Sequence, residues 1–242
     1  MCGVCGCQSP DPVVIATPEP RQISLAEAIL HRNDHAAAHN REHFQRAGVL
    51  ALNLLSSPGS GKTALLVRSF RELPPTLRPA AIVGDLATDR DAQRLQATGA
   101  PADQIEPAEL CHLEADLVHR ACHQLDLSAI DILFIENVGN LVCPAAFDLG
   151  EERRVLLLSV TEGEDKPLKY PSAFSRADLV LITKVDLAEA VEFDQAAAIA
   201  NLRAVNPTAT ILPVSSRGGQ GWSDWLDWLQ VQRSHLLAPV KA

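Results

Sequence analysis

The stretch that decides the fold reads Ser57-Pro58-Gly59-Ser60-Gly61-Lys62-Thr63, and it directly follows the apolar run at residues 49–55. An apolar strand that enters a glycine-rich turn, followed by Gly-Lys-Thr and a helix, is the layout of a phosphate-binding loop. The glycines let backbone N–H groups turn toward phosphate oxygens, and the helix aims its positive dipole end at the same anion. Ser56 stands where the usual pattern begins with glycine, so the strict motif is missed by one residue. The context nevertheless predicts a nucleotide site.

This stretch supplies contacts for a nucleotide and for a Mg²⁺ ion. We expect Lys62 to reach the β- and γ-phosphates and the Thr63 hydroxyl to bind Mg²⁺, so that both residues act in catalysis. Backbone groups of the turn and of the first helical residues would hold the phosphates. The nucleotide-binding residues predicted here are Pro58, Gly59, Ser60, Gly61, Lys62, Thr63 and Ala64.

The composition bounds the class of protein. The chain has 242 residues, of which 47% are hydrophobic and 21% charged, and these values are typical of a globular protein. The net charge of −9 argues against nucleic acid or an anionic membrane as the main partner. No apolar run is long enough to span a bilayer, and the N-terminus lacks the pattern of a secretion signal. We therefore expect a cytoplasmic protein whose six cysteines stay reduced and favour metal binding over disulfides.

The chain divides into a short N-terminal part and a longer domain. Residues 1–23 hold a cysteine-rich tip and a proline-rich segment, and they predict a flexible metal-binding tail and linker. Residues 24–242 predict one nucleotide-binding domain that opens with a helix. Ser24 is the expected N-cap of that helix, with Glu27 three residues further on, and Gly48 is expected to end it.

Beyond that helix, strand-like and helix-like patterns alternate. The expected strands lie at residues 49–55, 80–83, 130–135, 155–160, 179–182 and 210–214. Helical patterns separate them, and the last one runs from about residue 222 to residue 237. Near-continuous Val/Ile/Leu strands between helices predict an α/β fold of the P-loop NTPase kind, with a mostly parallel sheet flanked by helices on both faces.

Acidic residues follow two of the expected strands. Asp85 comes after the strand at residues 80–83, and Glu136 ends the strand at residues 130–135. Ligands of such sheets bind outside the carboxyl ends of the strands, so we expect both carboxylates to complete the Mg²⁺ shell and to act in catalysis. Gly139 would donate its backbone N–H to the γ-phosphate and so sense its presence.

The base is predicted from the run Thr183-Lys184-Val185-Asp186, which follows another strand. The Asp186 carboxylate can accept hydrogen bonds from the N1–H and the exocyclic amine of guanine, whereas adenine offers no such pair. The Lys184 stem would pack over the base. Ser215, Ser216 and Arg217 follow the last strand, where a second base-contacting loop is expected. The predicted ligand is GTP or GDP.

The cysteine-rich tip holds Cys2, Cys5 and Cys7 within six residues. Three thiols and two flexible glycines can wrap one thiophilic or borderline metal ion, such as Ni²⁺ or Zn²⁺. Because the tip lacks a fourth cysteine and a core to organise, transient binding suits it better than a structural zinc site.

Cys111, His112 and Cys143 are open to two interpretations. Together they would form a metal site with one open position, near the segment that responds to the γ-phosphate. The other interpretation is two buried cysteines that pack as small apolar residues, and the spacing alone favours it.

A stripe of histidines lies along the first predicted helix, at His31, His35, His39 and His43. Residues four apart share one face of a helix, so the stripe would bind a metal or form a solvated or partner-packing face. The second interpretation is favoured. His119 and His123 are interpreted as ordinary helix residues.

The chain as a whole resembles the HypB family of hydrogenase nickel-incorporation GTPases. The matching segments are residues 2–7, 33–34, 40–41, 52–63, 84–85, 111–113, 136–144, 162–171 and 183–186. The resemblance implies a GTPase that dimerises on binding GTP and delivers Ni²⁺ to the large subunit of NiFe hydrogenase, together with a HypA-type nickel metallochaperone. It also makes Cys111, His112 and Cys143 the expected metal site, at the dimer interface. Ser56 and Thr183 depart from the family pattern without removing a principal contact.

Hydrolysis is expected to be slow, because no obvious catalytic glutamine follows Gly139. Two alternatives remain open at this stage. A urease-type accessory GTPase would share the nucleotide motifs, but a Cys-Pro-His sequence is expected there, and Ala145 follows Cys143-Pro144 here. A metal-buffering protein with an incidental nucleotide fold is the other alternative.

Overall fold

The computed structural model describes residues 20–84, 90–106 and 111–238, with side chains from residue 27 onward. The strands are β1 Leu50–Ser56, β2 Pro79–Gly84, β3 Ala102–Ile105, β4 Ile132–Glu136, β5 Arg153–Ser159, β6 Leu179–Thr183 and β7 Thr210–Val214. The helices are α1 Pro20–Ala47, α2 Lys62–Glu72, α3 Arg90–Gln96, α4 Ala115–Cys122, α5 Cys143–Ala146, α6 Lys166–Lys169, α7 Pro171–Phe174, α8 Gln195–Val205 and α9 Trp222–Leu237.

The seven strands form one sheet in the order β3-β2-β4-β1-β5-β6-β7. Each pair of neighbouring strands is parallel, so all carboxyl ends lie at the same edge. β1 lies between β4 and β5, which puts the glycine-rich turn at the middle of that edge. The α/β fold predicted from the sequence, with a parallel sheet, is confirmed.

The apolar strands are explained by burial on both faces of the sheet. Leu50, Leu52 and Leu54 of β1 pack on one face, in a core that includes Trp225 of α9. Ala51, between them, packs on the opposite face with residues that precede and form α4. Side chains alternate between faces along a strand, so a strand covered on both sides needs apolar residues at nearly every position.

Three details differ from the sequence-based expectation. α1 begins at Pro20 rather than after an N-cap at Ser24, so it takes in the last four residues of the expected linker. Proline suits a first helical position because its φ is already helical and its missing N–H has no intrahelical partner there. β3 was not predicted, since its residues Ala-Asp-Gln-Ile form a short edge strand without an apolar run. β4 begins at Ile132, two residues later than expected.

Within the described ranges, no helix combines the length and the apolar character that a membrane span needs. α1 is long enough, with 28 residues, but charged and polar side chains occur throughout it.

Candidate functional site

The glycine-rich turn has the backbone that its sequence predicts. Gly59 and Gly61 have φ values of 74° and 99°, which residues with a side chain rarely adopt. α2 begins directly after Gly61. Lys62 is buried, and its Nζ donates to the Ser56 hydroxyl at 2.8 Å. The serine that replaces the usual glycine therefore holds the lysine at the end of β1.

A cavity of about 460 Å³ lies in front of this turn, bounded also by the ends of β2 and β4 and by α3. Thr63 Oγ1 donates to Glu136 Oε1 at 2.8 Å, and both side chains are buried at its wall. A hydroxyl and a carboxylate at this separation are hard oxygen donors, which fit the ligand preference of Mg²⁺. Asp85, the third expected Mg²⁺ ligand, lies outside the described residues, as do Cys2, Cys5 and Cys7.

The loop after β4 rests on the glycine-rich turn. A Cβ at Gly139 would lie 3.0 Å from Pro58 Cα, so a side chain there would force the two backbones apart. Ser56 and Asn140 form an isolated antiparallel bridge at the same place. Gly139 is therefore required for the close approach of these two segments, and it borders the cavity as expected.

The residues expected at the base form a hydrogen-bonded group beside the turn. Thr183 Oγ1 donates to the Ser60 carbonyl at 2.8 Å, and Lys184 Nζ donates to the Gly59 carbonyl at 2.6 Å. Asp186 Oδ1 accepts from the Ser215 hydroxyl at 2.5 Å. The first two bonds join the end of β6 to the glycine-rich turn, and the third joins the β6 end to the β7 end.

Arg68 of α2 fixes the loop after β7. It donates to the carbonyls of Ser215 and Ser216 at 3.2 and 3.1 Å, and its guanidinium lies 4.2 Å above the Trp222 ring. The Arg217 backbone N–H donates to the Ser215 hydroxyl at 3.2 Å. The loop is therefore positioned mainly through backbone groups.

The second group of expected ligands comes together near the loop after β4. One ligand atom from each of Cys111, His112 and Cys143 lies within 4.8 Å of the other two. Cys111 is exposed, Cys143 is half-buried and His112 is buried, with its ring stacked on Phe147 at 3.9 Å between centroids. The interpretation of two buried cysteines is wrong, because α5 begins at Cys143 and turns its thiol toward the exposed Cys111.

The protonation state of this cluster follows from its surroundings. Burial lowers the pKa of His112, and the Glu114 carboxylate partly offsets that effect. The imidazole is therefore neutral at pH 7, which is the form that binds metals. The pKa of Cys143 is raised, first by its hydrogen bond with Cys111 and then by burial.

Two asparagines attach the cluster to the segment that follows β4. The Asn140 amide donates to the Cys111 carbonyl at 3.3 Å. Asn137 Oδ1 accepts from the backbone N–H of Leu113 at 3.3 Å, directly after His112. The segment that carries Cys111 and His112 is thus hydrogen-bonded to the loop that borders the cavity.

Glu162 is a site residue that the sequence analysis did not select. Its Oε1 accepts from the Ser60 hydroxyl at 2.6 Å and from the Ser159 backbone N–H at 3.2 Å. Burial would raise its pKa, but these bonds and Lys166 lower it overall, so it stays ionised against the turn. An acidic residue at the carboxyl end of a strand was the signal that could have found it. Glu162 lies just past β5, as Glu136 lies at the end of β4.

Comparisons with known proteins agree with this geometry. Residues 50–213 match the family model described as "CobW/HypB/UreG, nucleotide-binding domain". The chain is 52% identical over 220 residues to the hydrogenase maturation factor HypB of Azotobacter vinelandii, covering 90% of this chain and 72% of that protein. It is 40% identical over 210 residues to a protein of Helicobacter pylori named hydrogenase/urease maturation factor HypB, covering 84% of this chain and 85% of that one.

A solved structure is also similar. The crystal structure of HypB from Helicobacter pylori in complex with nickel has a TM-score of 0.82 and 38% sequence identity, covering 87% of this chain and 99% of that chain. The family model, the relatives and the structural likeness point the same way: this chain belongs to the CobW/HypB/UreG family of nucleotide-binding proteins and, within it, to the HypB hydrogenase maturation factors.

Proposed function

We propose that this chain is a GTP-driven nickel metallochaperone: it hydrolyses GTP, dimerises on binding GTP and delivers Ni²⁺ to the large subunit of NiFe hydrogenase. One observation carries the proposal. Asn140, on the loop that rests on the glycine-rich turn, donates to the carbonyl of Cys111, whose thiol belongs to the metal-ligand cluster. A rearrangement of that loop by a γ-phosphate would therefore reach the cluster through a single hydrogen bond.

Guanine is the base that the β6 and β7 ends favour. Asp186 would accept from guanine N1–H and the exocyclic amine, while the Lys184 stem covers the ring. Thr183, Ser215, Ser216 and Arg217 would position those two side chains and close the base pocket. The hydrogen bonds of Thr183 to the Ser60 carbonyl and of Ser215 to Asp186 support this arrangement, because they place Asp186 beside the glycine-rich turn.

Hydrolysis would rest on charge neutralisation by the turn. Lys62 would bind the β- and γ-phosphates, and Thr63, Glu136 and Asp85 would hold Mg²⁺. When bound, Mg²⁺ supplies positive charge that offsets the charge developing on the phosphate oxygens. Gly139 would donate its N–H to the γ-phosphate. Residues 140–150, directly after it, contain no glutamine to orient water, so we expect a slow enzyme suited to switching.

The cargo would bind at two places. Cys111, His112 and Cys143 offer two thiolates and one neutral imidazole, a set that suits Ni²⁺ or Zn²⁺ and leaves a position for transfer. The nickel in the solved structure of the Helicobacter pylori relative supports a metal role for this family. Cys2, Cys5 and Cys7 would form the second, transient site, which receives or passes on Ni²⁺.

The proposed dimer would form around the cluster. Val142, next to Cys143, is an apolar side chain with 60% of its surface exposed, so such a dimer would cover it. A partner copy would fill the open metal position when GTP is bound. A HypA-type nickel metallochaperone is the proposed partner in nickel transfer.

Urease is a second candidate client. The observation that favours it is the name of the Helicobacter pylori relative, a hydrogenase/urease maturation factor. The proposed mechanism is the same for both clients, since each needs Ni²⁺ released in response to nucleotide state.

The decisive experiment measures Ni²⁺ and Zn²⁺ affinity in the presence of GDP and then of a non-hydrolysable GTP analogue, with mass recorded by light scattering. The full chain carries Cys2→Ser, Cys5→Ser and Cys7→Ser, so that the tip does not contribute. We expect the affinity to differ at least tenfold between the nucleotides and the analogue to give a dimer.

A matched pair of variants tests where that difference arises. Cys143→Ser should remove the nucleotide-dependent part of metal binding, whereas Cys122→Ala, which changes a buried thiol outside the cluster, should keep it. Equal metal affinity with both nucleotides would overturn the switch and leave a metal-buffering protein.

A further inference from the structure

Four histidines meet where α1 packs against α4, and none of them lines the cavity described above. His39 and His43 lie four residues apart on α1, and His119 and His123 lie four residues apart on α4. The ring centroid of His119 is 4.9 Å from that of His39, 6.4 Å from that of His43 and 4.7 Å from that of His123. The predicted stripe therefore divides: the rings of His39 and His43 lie beside the His119 ring, whereas His31 and His35 lie outside this group, although His39 is exposed as they are.

The His119 and His123 nitrogens have the separation of two ligands of one metal ion. Two histidines at i and i+4 present their nitrogens on one helix face, as in helical zinc sites. With metal–nitrogen distances near 2.0 Å, tetrahedral ligand nitrogens lie about 3.3 Å apart and ring centroids about 5 Å apart. His119 Nε2 and His123 Nε2 are joined by a hydrogen bond of 3.2 Å, and a metal ion between them would replace it. Among the described residues only Cys111, His112 and Cys143 already place three ligand atoms within 4.8 Å of one another, so the ion would draw in the α1 histidines by rotation of their side chains.

Asn40 holds His119 in the orientation of a metal ligand. Asn40 is buried, and its amide nitrogen donates to the carbonyls of Ala115 and Leu149 at 2.8 and 3.1 Å. Its Oδ1 is therefore an acceptor, and it lies 3.2 Å from His119 Nδ1. This bond puts the proton on Nδ1 and leaves the Nε2 lone pair directed at His123. Ligating histidines are commonly fixed by such a partner on the other ring nitrogen.

We propose that His39, His43, His119 and His123 form a further binding site for a divalent transition metal ion, built from imidazoles alone. His119 and His123 supply two ligands, and the α1 histidines supply the others. Imidazole donors suit Zn²⁺, Ni²⁺ and Cu²⁺, and this donor set differs from the thiolate-containing cluster of Cys111, His112 and Cys143. Because the ligands come from two helices, the ion would also tie α1 to α4.

The test uses the full chain with Cys2, Cys5, Cys7, Cys111 and Cys143 changed to serine, so that the other proposed sites are silent. Zn²⁺ and Ni²⁺ are titrated separately by calorimetry, and the thermal unfolding midpoint is recorded with and without each ion. We expect one ion per chain and a higher midpoint when it binds. A chain with these five cysteines changed that binds neither ion would overturn the proposal.

Matched variants locate the site. His119→Gln and His123→Gln should each weaken binding at least tenfold, whereas the double change His31→Gln and His35→Gln removes another i, i+4 pair of α1 and should leave the affinity unchanged. His123 is exposed, so its variant reports even if the His119 variant folds poorly. Equal losses from the His31/His35 pair and from His123 would mean non-specific binding along the helices and would overturn the assignment.

Discussion

The two edges of the sheet are built from similar polar side chains but use them differently. At the carboxyl edge, side chains bond to one another or to nearby backbone around an open cavity, as Lys62 does with Ser56 and Thr63 with Glu136. At the amino edge, charged side chains form ion pairs with one another. Arg154 donates to Glu151 at 2.5 Å, and the two side chains are 12% and 3% exposed.

The amino edge has a second ion-pair group around Asp131, just before β4. Its carboxylate accepts from Arg78 Nε at 2.8 Å and from the Arg233 guanidinium at 3.2 Å. Arg233 comes from α9 and also donates to the Gly48 carbonyl. This group ties β2, β4 and the last helix together.

The difference indicates that the carboxyl edge of the sheet serves mainly function and the amino edge mainly stability. A ligand that enters the cavity can compete for the side chains of Lys62, Thr63 and Glu136, which line its wall. The bonds of the amino edge join opposite charges, and breaking one leaves a charge without its partner. Substitutions at the carboxyl edge should therefore change activity with little change in stability, and those at the amino edge should do the reverse.

Lys62→Ala should have the largest effect. We expect turnover of GTP to fall about 10²–10³-fold, because a positive charge that stabilises the transition state is lost. The free energy of unfolding should change by no more than about 1 kcal/mol, the worth of one hydrogen bond. Steady-state phosphate release and urea unfolding measure the two quantities. Turnover that persists at the original rate would refute the assignment of the phosphate-binding loop.

Asp186→Asn should follow, with a loss in GTP affinity of about 1–3 kcal/mol, because the exocyclic amine of guanine would face an amide NH₂ group instead of an accepting carboxylate oxygen. The amide donates to the 2-carbonyl of xanthine, so the affinity for XTP should rise. Competition binding with the two nucleotides measures this change, and Asp227→Asn, at an exposed acid on α9, is the control. An unchanged preference for GTP would remove Asp186 from the base pocket.

Asp131→Asn should have the smallest effect, and it should act on stability alone. The hydrogen bond from Arg78 is the main cause that lowers the pKa of Asp131 from 3.8 to about 2. The unfolded chain therefore binds the proton first, so the stability that Asp131 contributes is present above pH 3.8 and is lost as the pH falls toward 2.

The measurement is urea unfolding from pH 7 to pH 2.5, with GTP affinity at pH 7 as the functional readout. The variant should lose about 1 kcal/mol at pH 7 and show a flatter acid limb, with GTP affinity unchanged. A variant as stable as the parent chain at pH 7, with the same acid limb, would contradict the proposed role of the amino edge.

Much of the fold was predictable because its signals are local. The run at residues 57–63 indicates the turn between a strand and a helix, because that turn needs a positive φ at positions where glycine is favoured. Gly59 and Gly61 have such a φ. The apolar strands were recognisable because burial on both faces leaves few positions for polar residues. β3 escaped prediction for the opposite reason, since an edge strand is buried too little to need an apolar run.

Parts of the candidate site were not predictable, because they depend on contacts between distant segments. Glu162 reaches Ser60 across 102 positions of sequence, and Asn40 reaches His119 across 79. Neither partner carries a pattern that points to the other. The spacing of Cys111 and Cys143 even favoured two buried cysteines. Burial of a thiol depends on which segments pack over it, and the spacing does not show that.

The sequence by itself determined the parallel α/β sheet, the glycine-rich turn and the order of nucleotide motifs along the chain. The reason is that backbone conformation and strand burial depend on the types of residues that are neighbours in sequence. Only the tertiary structure decided which polar side chains meet: the cluster of Cys111, His112 and Cys143 on the loop beside the cavity, and the four histidines between α1 and α4. The physical reason is that such meetings depend on how helices and loops pack on the sheet, which no local stretch of sequence specifies.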